Sequence, residues 1–319
     1  MGSTSNDSRQ GPIVVVGGGG FIGSALVKSL LEAGHGAITT YRERPNPALP
    51  KAIKQLHFSP ENLVRTFRSA AAVVHLAART GGIEFQRRQP FELFFSNRAL
   101  TDQVLQAATA TGVRKLLIAS SAAVYAPSSV PLTEDAPTVD LARTESAYAA
   151  GKLLDELSAG WVGHTSHTIV ITARIGNVYG EGGQFDTEQS SVVHGLIRRA
   201  SDARHGGRLV AWGSPKTVRS FIHVQDVAAA LALLVSSDVP SQTYNVDSGL
   251  AVTIGTLAAL IAEQAAPGST VSFDESRPRG DPYRVLSISR LENLGFKPAI
   301  DLEEGINRTL IAYLDRPAV

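Results

Sequence analysis

A tyrosine and a lysine four residues apart, Tyr148 and Lys152 in SAYAAGK, are the pair best suited to proton chemistry in this chain. On a helix that spacing puts both side chains on one face, about one turn apart. A free tyrosine of pKa ~10 holds its proton too tightly to exchange it readily at neutral pH. An ammonium close by favours the phenolate and lowers that pKa, so a positioned pair can pass a proton to or from a substrate oxygen. An exposed tyrosine and lysine with no chemistry would show the same spacing, which alone does not decide between the two. Ser121, in LIASSAAVYAP (Leu117 to Pro127), is a hydroxyl that could join them. Beside it, where more chemistry could be placed, stand two methyl groups, Ala122 and Ala123.

These side chains need a scaffold to position them. IVVV (Ile13 to Val16), then GGGGFIG (Gly17 to Gly23), then apolar residues at helical spacing through FIGSALVKSLLEAGH read as strand, turn and helix. Gly17, Gly20 and Gly23 permit a tight turn and let a pyrophosphate approach backbone N–H groups at the positive end of the helix, with Phe21 and Ile22 beside it. A plain glycine-rich turn is the competing reading, and the strand–helix context favours a dinucleotide. At the end of the second strand the run TTYRERP carries no acid for a ribose 2′-OH. It offers Tyr41, Arg42 and Arg44, and a guanidinium fork suits a 2′-phosphate. The expected cofactor is therefore NADP(H). Two solvated loop arginines are the alternative, and Glu43 between them counts against the phosphate.

The alternation continues along the chain. AITTY (Ala37 to Tyr41), LHF (Leu56 to Phe58), VVHLA (Val73 to Ala77), LLIAS (Leu116 to Ser120) and TIVITAR (Thr168 to Arg174) read as strands, with helices across Phe91 to Thr111 and around Ser146 to Ala159. This pattern predicts an α/β fold, a Rossmann-type doubly wound parallel sheet covered on both faces. From Gly180 onward the alternation loosens into a smaller α/β substrate-binding lobe. The expected division is a disordered tail over 1–11, an NADP-binding domain over 12–178 with about 219–245 returning to it, and a substrate lobe from about 179–218 and 246–319.

Composition narrows the class. At 319 residues and 43% hydrophobic, the chain can bury one large or two moderate cores. A formal net charge of +1 provides no basic field for nucleic acid. No run approaches the ~18 apolar residues of a membrane span, and MGSTSNDSRQ lacks the apolar core of a signal peptide, so a cytoplasmic protein without membrane or nucleic-acid partners is expected. With no cysteine, disulfides, thiolate zinc sites and any cysteine acid or nucleophile are excluded, and no metal is expected.

Together these motifs resemble the extended short-chain dehydrogenase/reductase family, which acts largely on nucleotide sugars. The resemblance runs from about Pro12 to about Tyr313. GGGGFIG matches the family's GxxGxxG loop; VVHLAA, with Leu76, Ala77 and Ala78 toward the cofactor, its fourth strand; Asn97 the asparagine of the next helix; Ser121 its catalytic Ser/Thr; and Tyr148 with Lys152 its YxxxK pair. ARIGNVYGEGG, RSFIHVQDV and YNVDSG are further landmarks. The resemblance implies a carbonyl/alcohol redox site. Tyr148 would be the general acid, Lys152 would lower its pKa and hold the nicotinamide ribose, Ser121 would bond the carbonyl oxygen, and Asn97 would support a proton relay, with hydride from the cofactor. It also implies a nucleotide-diphosphate sugar contacted by Arg219 and by Arg279 or Arg284, with Asn177 on the substrate. Read without the resemblance, these are surface charges and a turn residue. A homodimer packed through the Asn97 and Tyr148 helices is the family default.

The two alanines decide among chemistries. The family's 4,6-dehydratases place an Asp-Glu pair directly after their Ser/Thr; here those positions are Ala122 and Ala123, and a methyl cannot move a proton. The chain is most similar to the GDP-fucose synthase-like reductases, combined 3,5-epimerases and 4-ketoreductases, with ARTGGI, including Gly82, and SSVVHGLIRR as matching segments. The epimerising cysteine and histidine of that subfamily align with Ala123 and Ser191, while His194, one turn on, is expected to be structural. His223 and Asp226 are expected to be structural or capping, Trp161 to pack behind the tyrosine helix and Trp212 to border the nucleotide. The resulting expectation is an NADPH-dependent 4-ketoreductase of a dTDP- or GDP-linked 4-keto-6-deoxyhexose without epimerase activity. A 4-epimerase with tightly held NAD and a non-catalytic NADP-binding protein are the alternatives.

Overall fold

The computed structural model describes residues 11–81, 83–185, 190–203, 207–277 and 280–316. Its strands are β1 (Ile13–Val16), β2 (Ala37–Tyr41), β3 (Lys54–His57), β4 (Ala72–His75), β5 (Lys115–Ser121), β6 (Ile169–Ile175), β7 (Asn177–Tyr179), β8 (Arg208–Trp212), β9 (Val218–Arg219), β10 (Phe221–His223), β11 (Thr243–Val246), β12 (Val252–Thr253), β13 (Thr270–Asp274) and β14 (Tyr283–Arg284). The helices are α1 (Phe21–Glu32), α2 (Pro60–Phe67), α3 (Ile83–Arg88), α4 (Pro90–Thr111), α5 (Ala147–Thr165), α6 (Val192–Ala203), α7 (Val224–Ser236), α8 (Ile254–Ala265), α9 (Ser289–Glu292) and α10 (Leu302–Leu314).

Seven strands form one parallel sheet in the order β11-β6-β5-β4-β1-β2-β3. Every residue of β1 and β4 is buried, which is why these strands read as continuous apolar runs rather than alternating ones. α1 and α7 pack together on one face, over a core that includes Val15, Leu26, Val27, Ile222 and Leu231. α2, α4 and α5 cover the other, over Val14, Phe67, Val104 and Ile118. This is the doubly wound arrangement that the sequence predicts.

A separate apolar cluster gathers α6, α8 and α10 around β8 and β13, with Leu196, Leu209, Leu257, Ile261 and Ile306 at its centre. The chain crosses between the two cores more than once. α7 and β11 belong with the sheet, and so do Leu291 and Phe296, which the sequence reading assigned to the substrate lobe. The strand order reverses between β1 and β4, opening a crevice beyond the carboxyl ends of the strands.

Candidate active site

A cleft of about 870 Å³ occupies that crevice. Its cofactor side is shaped by the glycine turn. Gly17 has φ +89° and a Cβ there would lie 2.7 Å from the Ala77 nitrogen, while a Cβ on Gly23 would lie 2.2 Å from the Gly17 carbonyl. Those two glycines make the turn possible; Ala77 backs it from behind. Gly20 caps α1 with extended backbone, and the helix has neither a side-chain cap nor an acid in its first turn. Gly20, Phe21 and Ile22 line the cleft opposite Leu76 and Ala78. Unsatisfied helix N–H groups are thus offered to the cleft, and the residues present fit a dinucleotide pyrophosphate.

At the end of β2 the fit is looser. Tyr41 turns its ring edge-on to His57 at 5.7 Å. Arg42 and Arg44 are exposed, with Arg42 3.7 Å from Glu43 in an ion pair.

Ser121, Tyr148 and Lys152 line the same cleft. Ser121 ends β5, and Tyr148 sits in the first turn of α5, whose start is fixed by the Ser146 hydroxyl accepting from Ala149 N at 3.2 Å. The Tyr148 phenol neighbours Ser121, whose Oγ accepts from Ala123 N at 3.2 Å. Lys152 Nζ donates to the Ala119 carbonyl at 2.8 Å and stands 3.8 Å from Asp155 Oδ2.

The electrostatics correct one expectation. Burial pushes the Tyr148 pKa above its ordinary 10; the neighbouring Ser121 side chain opposes this and the Asp155 carboxylate adds to it. Lys152 is itself drawn down by burial, against the pull of Asp155 and Glu156. Desolvation therefore sets the direction, opposite to the lowering by lysine that the spacing predicts. At neutral pH the phenol keeps its proton, which is the state a general acid needs.

Several expected site residues stand elsewhere. Asn97 Nδ2 donates to the Arg79 carbonyl at 3.0 Å, and its Oδ1 accepts from Arg79 N at 2.7 Å. Both ends of the amide are spent on the loop after β4, and Asn97 does not line the cleft. Ala122 and Ala123 do not line it either: a 3₁₀ turn over Ala122–Val124 carries Ala122 into an apolar cluster with Val124, Leu132, Leu153 and Leu286. Trp161 does not pack behind α5 but is 69% exposed on it. Gly82 and Arg279 lie outside the described residues.

At the far end of the cleft Arg219 lines the wall, its Nη1 donating to the Val218 carbonyl. Arg284, the other basic candidate, is committed to the fold. It bonds Asp281 and the Ala122 carbonyl, and reaches the Tyr125 carbonyl at 3.2 Å. The sequence reading passed over Arg199. This arginine lines the cleft 4.7 Å from the centre of the Trp212 ring, and its buried Nε has no hydrogen-bond partner among the described residues. Its signal in the sequence was the four-residue spacing of Gly195 and Arg199 on α6, continuing from Ser191 just before the helix; all three line the cleft.

Other landmarks hold the cleft floor together. Asn177 lines the cleft and donates to the Ser220 carbonyl at 2.8 Å. His223 caps α7 by accepting from Gln225 N, and Asp226 accepts from Ala299 N at 2.9 Å and Ile300 N at 3.1 Å, the structural roles expected of both. His194 is buried, with both ring nitrogens engaged.

Comparison with known proteins agrees with this geometry. The family model described as "NAD dependent epimerase/dehydratase family" matches residues 13–247. GDP-L-fucose synthase 1 of Arabidopsis thaliana is 29% identical over 324 residues, covering 98% of this chain and 95% of that one. A Streptomyces dTDP-4-dehydro-6-deoxy-D-allose reductase is 31% identical, with 94% and 95% covered. The UDP-glucose 4-epimerase of Thermus thermophilus in complex with NAD superposes with a TM-score of 0.80 at 28% identity, over 95% of this chain and 99% of the other. The match spans the glycine turn, the Ser121–Tyr148–Lys152 cluster and the edge strand β11, and by it the chain belongs to the NAD dependent epimerase/dehydratase family.

Proposed function

We propose that the protein is an NADPH-dependent 4-ketoreductase of a nucleotide-activated 4-keto-6-deoxyhexose, dTDP- or GDP-linked, without 3,5-epimerase activity. The observation that carries this reading is that Ser121, Tyr148 and Lys152 line one cleft with the uncapped end of α1. Relatives named as a GDP-L-fucose synthase and a dTDP-4-dehydro-6-deoxy-D-allose reductase support the substrate class.

A bound nicotinamide supplies the hydride. Ser121 orients the ketone oxygen, and Tyr148 gives up its proton as negative charge develops there. Lys152, held by the Ala119 carbonyl and Asp155, stabilises the phenolate left behind. Asn97 keeps the loop at Arg79 in place as a positioning residue. Arg219 and Arg199 balance the diphosphate, with Trp212 bordering the base. Removing a proton from C3 or C5 needs a base beside Ser121, and the chain has Ala122 and Ala123 there and no cysteine anywhere.

A 4-epimerase with tightly held NAD is the second reading. It is favoured by the exposure of Arg42 and its pairing with Glu43, and by the NAD complex of the Thermus relative. Incubation with NADPH in D2O, with dTDP-4-keto-6-deoxyglucose and GDP-4-keto-6-deoxymannose supplied separately, tests both. NADPH oxidation giving a product without deuterium at C3 or C5 is expected. Deuterium at those carbons would mean epimerisation, and no oxidation with either sugar would favour the second reading.

A further inference from the structure

The Ser191–His194 pair on the cleft wall has a fixed hydrogen-bond polarity. His194 Nε2 lies 2.9 Å from the Gly180 carbonyl, which can only accept, so Nε2 carries a hydrogen. Burial lowers the His194 pKa to about 4, so the ring is neutral at neutral pH and Nδ1 is bare. Ser191 Oγ, 2.7 Å from Nδ1, must therefore donate to it. The opposite tautomer would set two acceptors against each other at Gly180. The ring is also held in place: Phe21 and Phe185 meet it edge-on at 5.7 and 4.8 Å, and Gly183 passes so close that a Cβ there would lie 2.0 Å from Nε2.

Ser191 thus faces the cleft with its one proton already committed, offering lone pairs only. Its position is also defined. Ser191, directly before α6, and Gly195 and Arg199, one and two turns further on, line the cleft, with Arg199 beside Trp212 at one end and His194 against Phe21 of the glycine turn at the other. A sugar with its diphosphate at Arg199 and its reacting carbon toward Tyr148 would lie alongside this row. We propose that Ser191 is a specificity-determining residue whose Oγ, oriented by His194 and the Gly180 carbonyl, accepts a hydrogen bond from a ring hydroxyl of the sugar. A substituent that cannot donate is refused there. This inference rests on the nucleotide-sugar reading above.

Fluorine tests the polarity, since it keeps the size and the electron-rich character of a hydroxyl and removes the donor. Calorimetry in the presence of NADP+ would measure binding of dTDP-6-deoxyglucose, its 2-fluoro and 3-fluoro analogues, and dTDP alone to wild type, Ser191→Ala and Ser191→Thr, with the GDP-linked set in parallel. Wild type should bind one fluoro analogue about tenfold or more weakly than the parent. Ser191→Ala should bind the two alike with nucleotide affinity unchanged, and Ser191→Thr should restore the difference. Equal binding of parent and both fluoro sugars by wild type, or discrimination that survives in Ser191→Ala, would overturn the assignment. Failure of wild type to bind either nucleotide or any sugar would instead overturn the functional reading on which it stands.

Discussion

The carboxyl of Asp247 lies directly beneath Gly176, so close that a Cβ on that glycine would stand 2.0 Å from Oδ2. Gly176 belongs to the cleft wall, and Asp247 is fixed under it by Ser220 Oγ donating to Oδ2 at 2.5 Å and Ser248 N donating to Oδ1 at 2.6 Å. Burial outweighs those hydrogen bonds and carries the carboxyl pKa to about 7.

The raised pKa has a definite consequence for stability. The folded protein holds this proton where the unfolded chain has shed it, so the contribution of Asp247 is complete below about pH 4 and is lost as pH rises through about 7. Asp247→Asn does not titrate. The stability of the variant minus that of wild type should therefore rise between pH 4 and 7, by about 1.4 kcal/mol per unit where the slope is steepest. Buried His75 and His194 act in the opposite sense, their pKa values lowered to about 3 and about 4, but equally in both proteins. Urea unfolding at each pH measures the difference; a flat difference would show that Asp247 is ionised throughout.

Tyr148→Phe should lower kcat for ketone reduction on the order of 100-fold or more with NADPH affinity nearly intact. Because burial holds the phenol above its ordinary 10, kcat/KM of wild type should stay level from neutrality to about pH 10 and fall only beyond it. A loss centred near pH 7 would give the acid role to another group.

Arg42→Ala should raise the KM for NADPH about tenfold and leave that for NADH within about twofold, since a 2′-phosphate is the group a guanidinium at the end of β2 can distinguish. Equal effects on both cofactors would remove Arg42 from recognition and strengthen the NAD-binding alternative.

The three arginines of the substrate end should separate by assay. Arg219→Ala and Arg199→Ala should raise the KM for the nucleotide sugar roughly 10- to 100-fold with an unchanged thermal midpoint. Arg284→Ala should instead lower the midpoint, because it takes the guanidinium donor from the Tyr125 carbonyl and leaves the Ala122 carbonyl with Tyr125 N alone, a loss of about 1–3 kcal/mol. Thermal melts and initial rates on the same preparations decide between the two patterns.

Phe91 and Phe95 on α4, and Leu157 and Trp161 on α5, are each more than half exposed although the two helices pack together. The homodimer that the family resemblance implies would bury these side chains against a second copy across a twofold axis. Phe95→Glu with Trp161→Glu should convert a dimer into a folded monomer by light scattering; a monomeric wild type would refute the homodimer.

What could be read directly from the sequence was local. Tyr148 and Lys152 share a helix face by spacing alone, and the glycine turn is set by residues at its own two ends. Asn97 and Arg284 could not be placed this way, because their partners are brought to them by the fold. Asn97 clasps the backbone of Arg79, and Arg284 reaches a carbonyl 162 positions away. Trp161 was misread for a related reason: one helix has several faces, and spacing does not say which of them the sheet covers. The Tyr148 pKa needed the depth of the cleft, which no motif encodes.

The 3₁₀ turn after Ser121 also bears on what this chain could become. Ala122 is seated among Val124, Leu132, Leu153 and Leu286, with its carbonyl tied by Arg284. A carboxylate introduced there would be stripped of water in an apolar pocket, at a cost that a point mutation cannot offset. The turn, its apolar lining and the arginine tether would have to change together before position 122 could hold a solvated carboxylate.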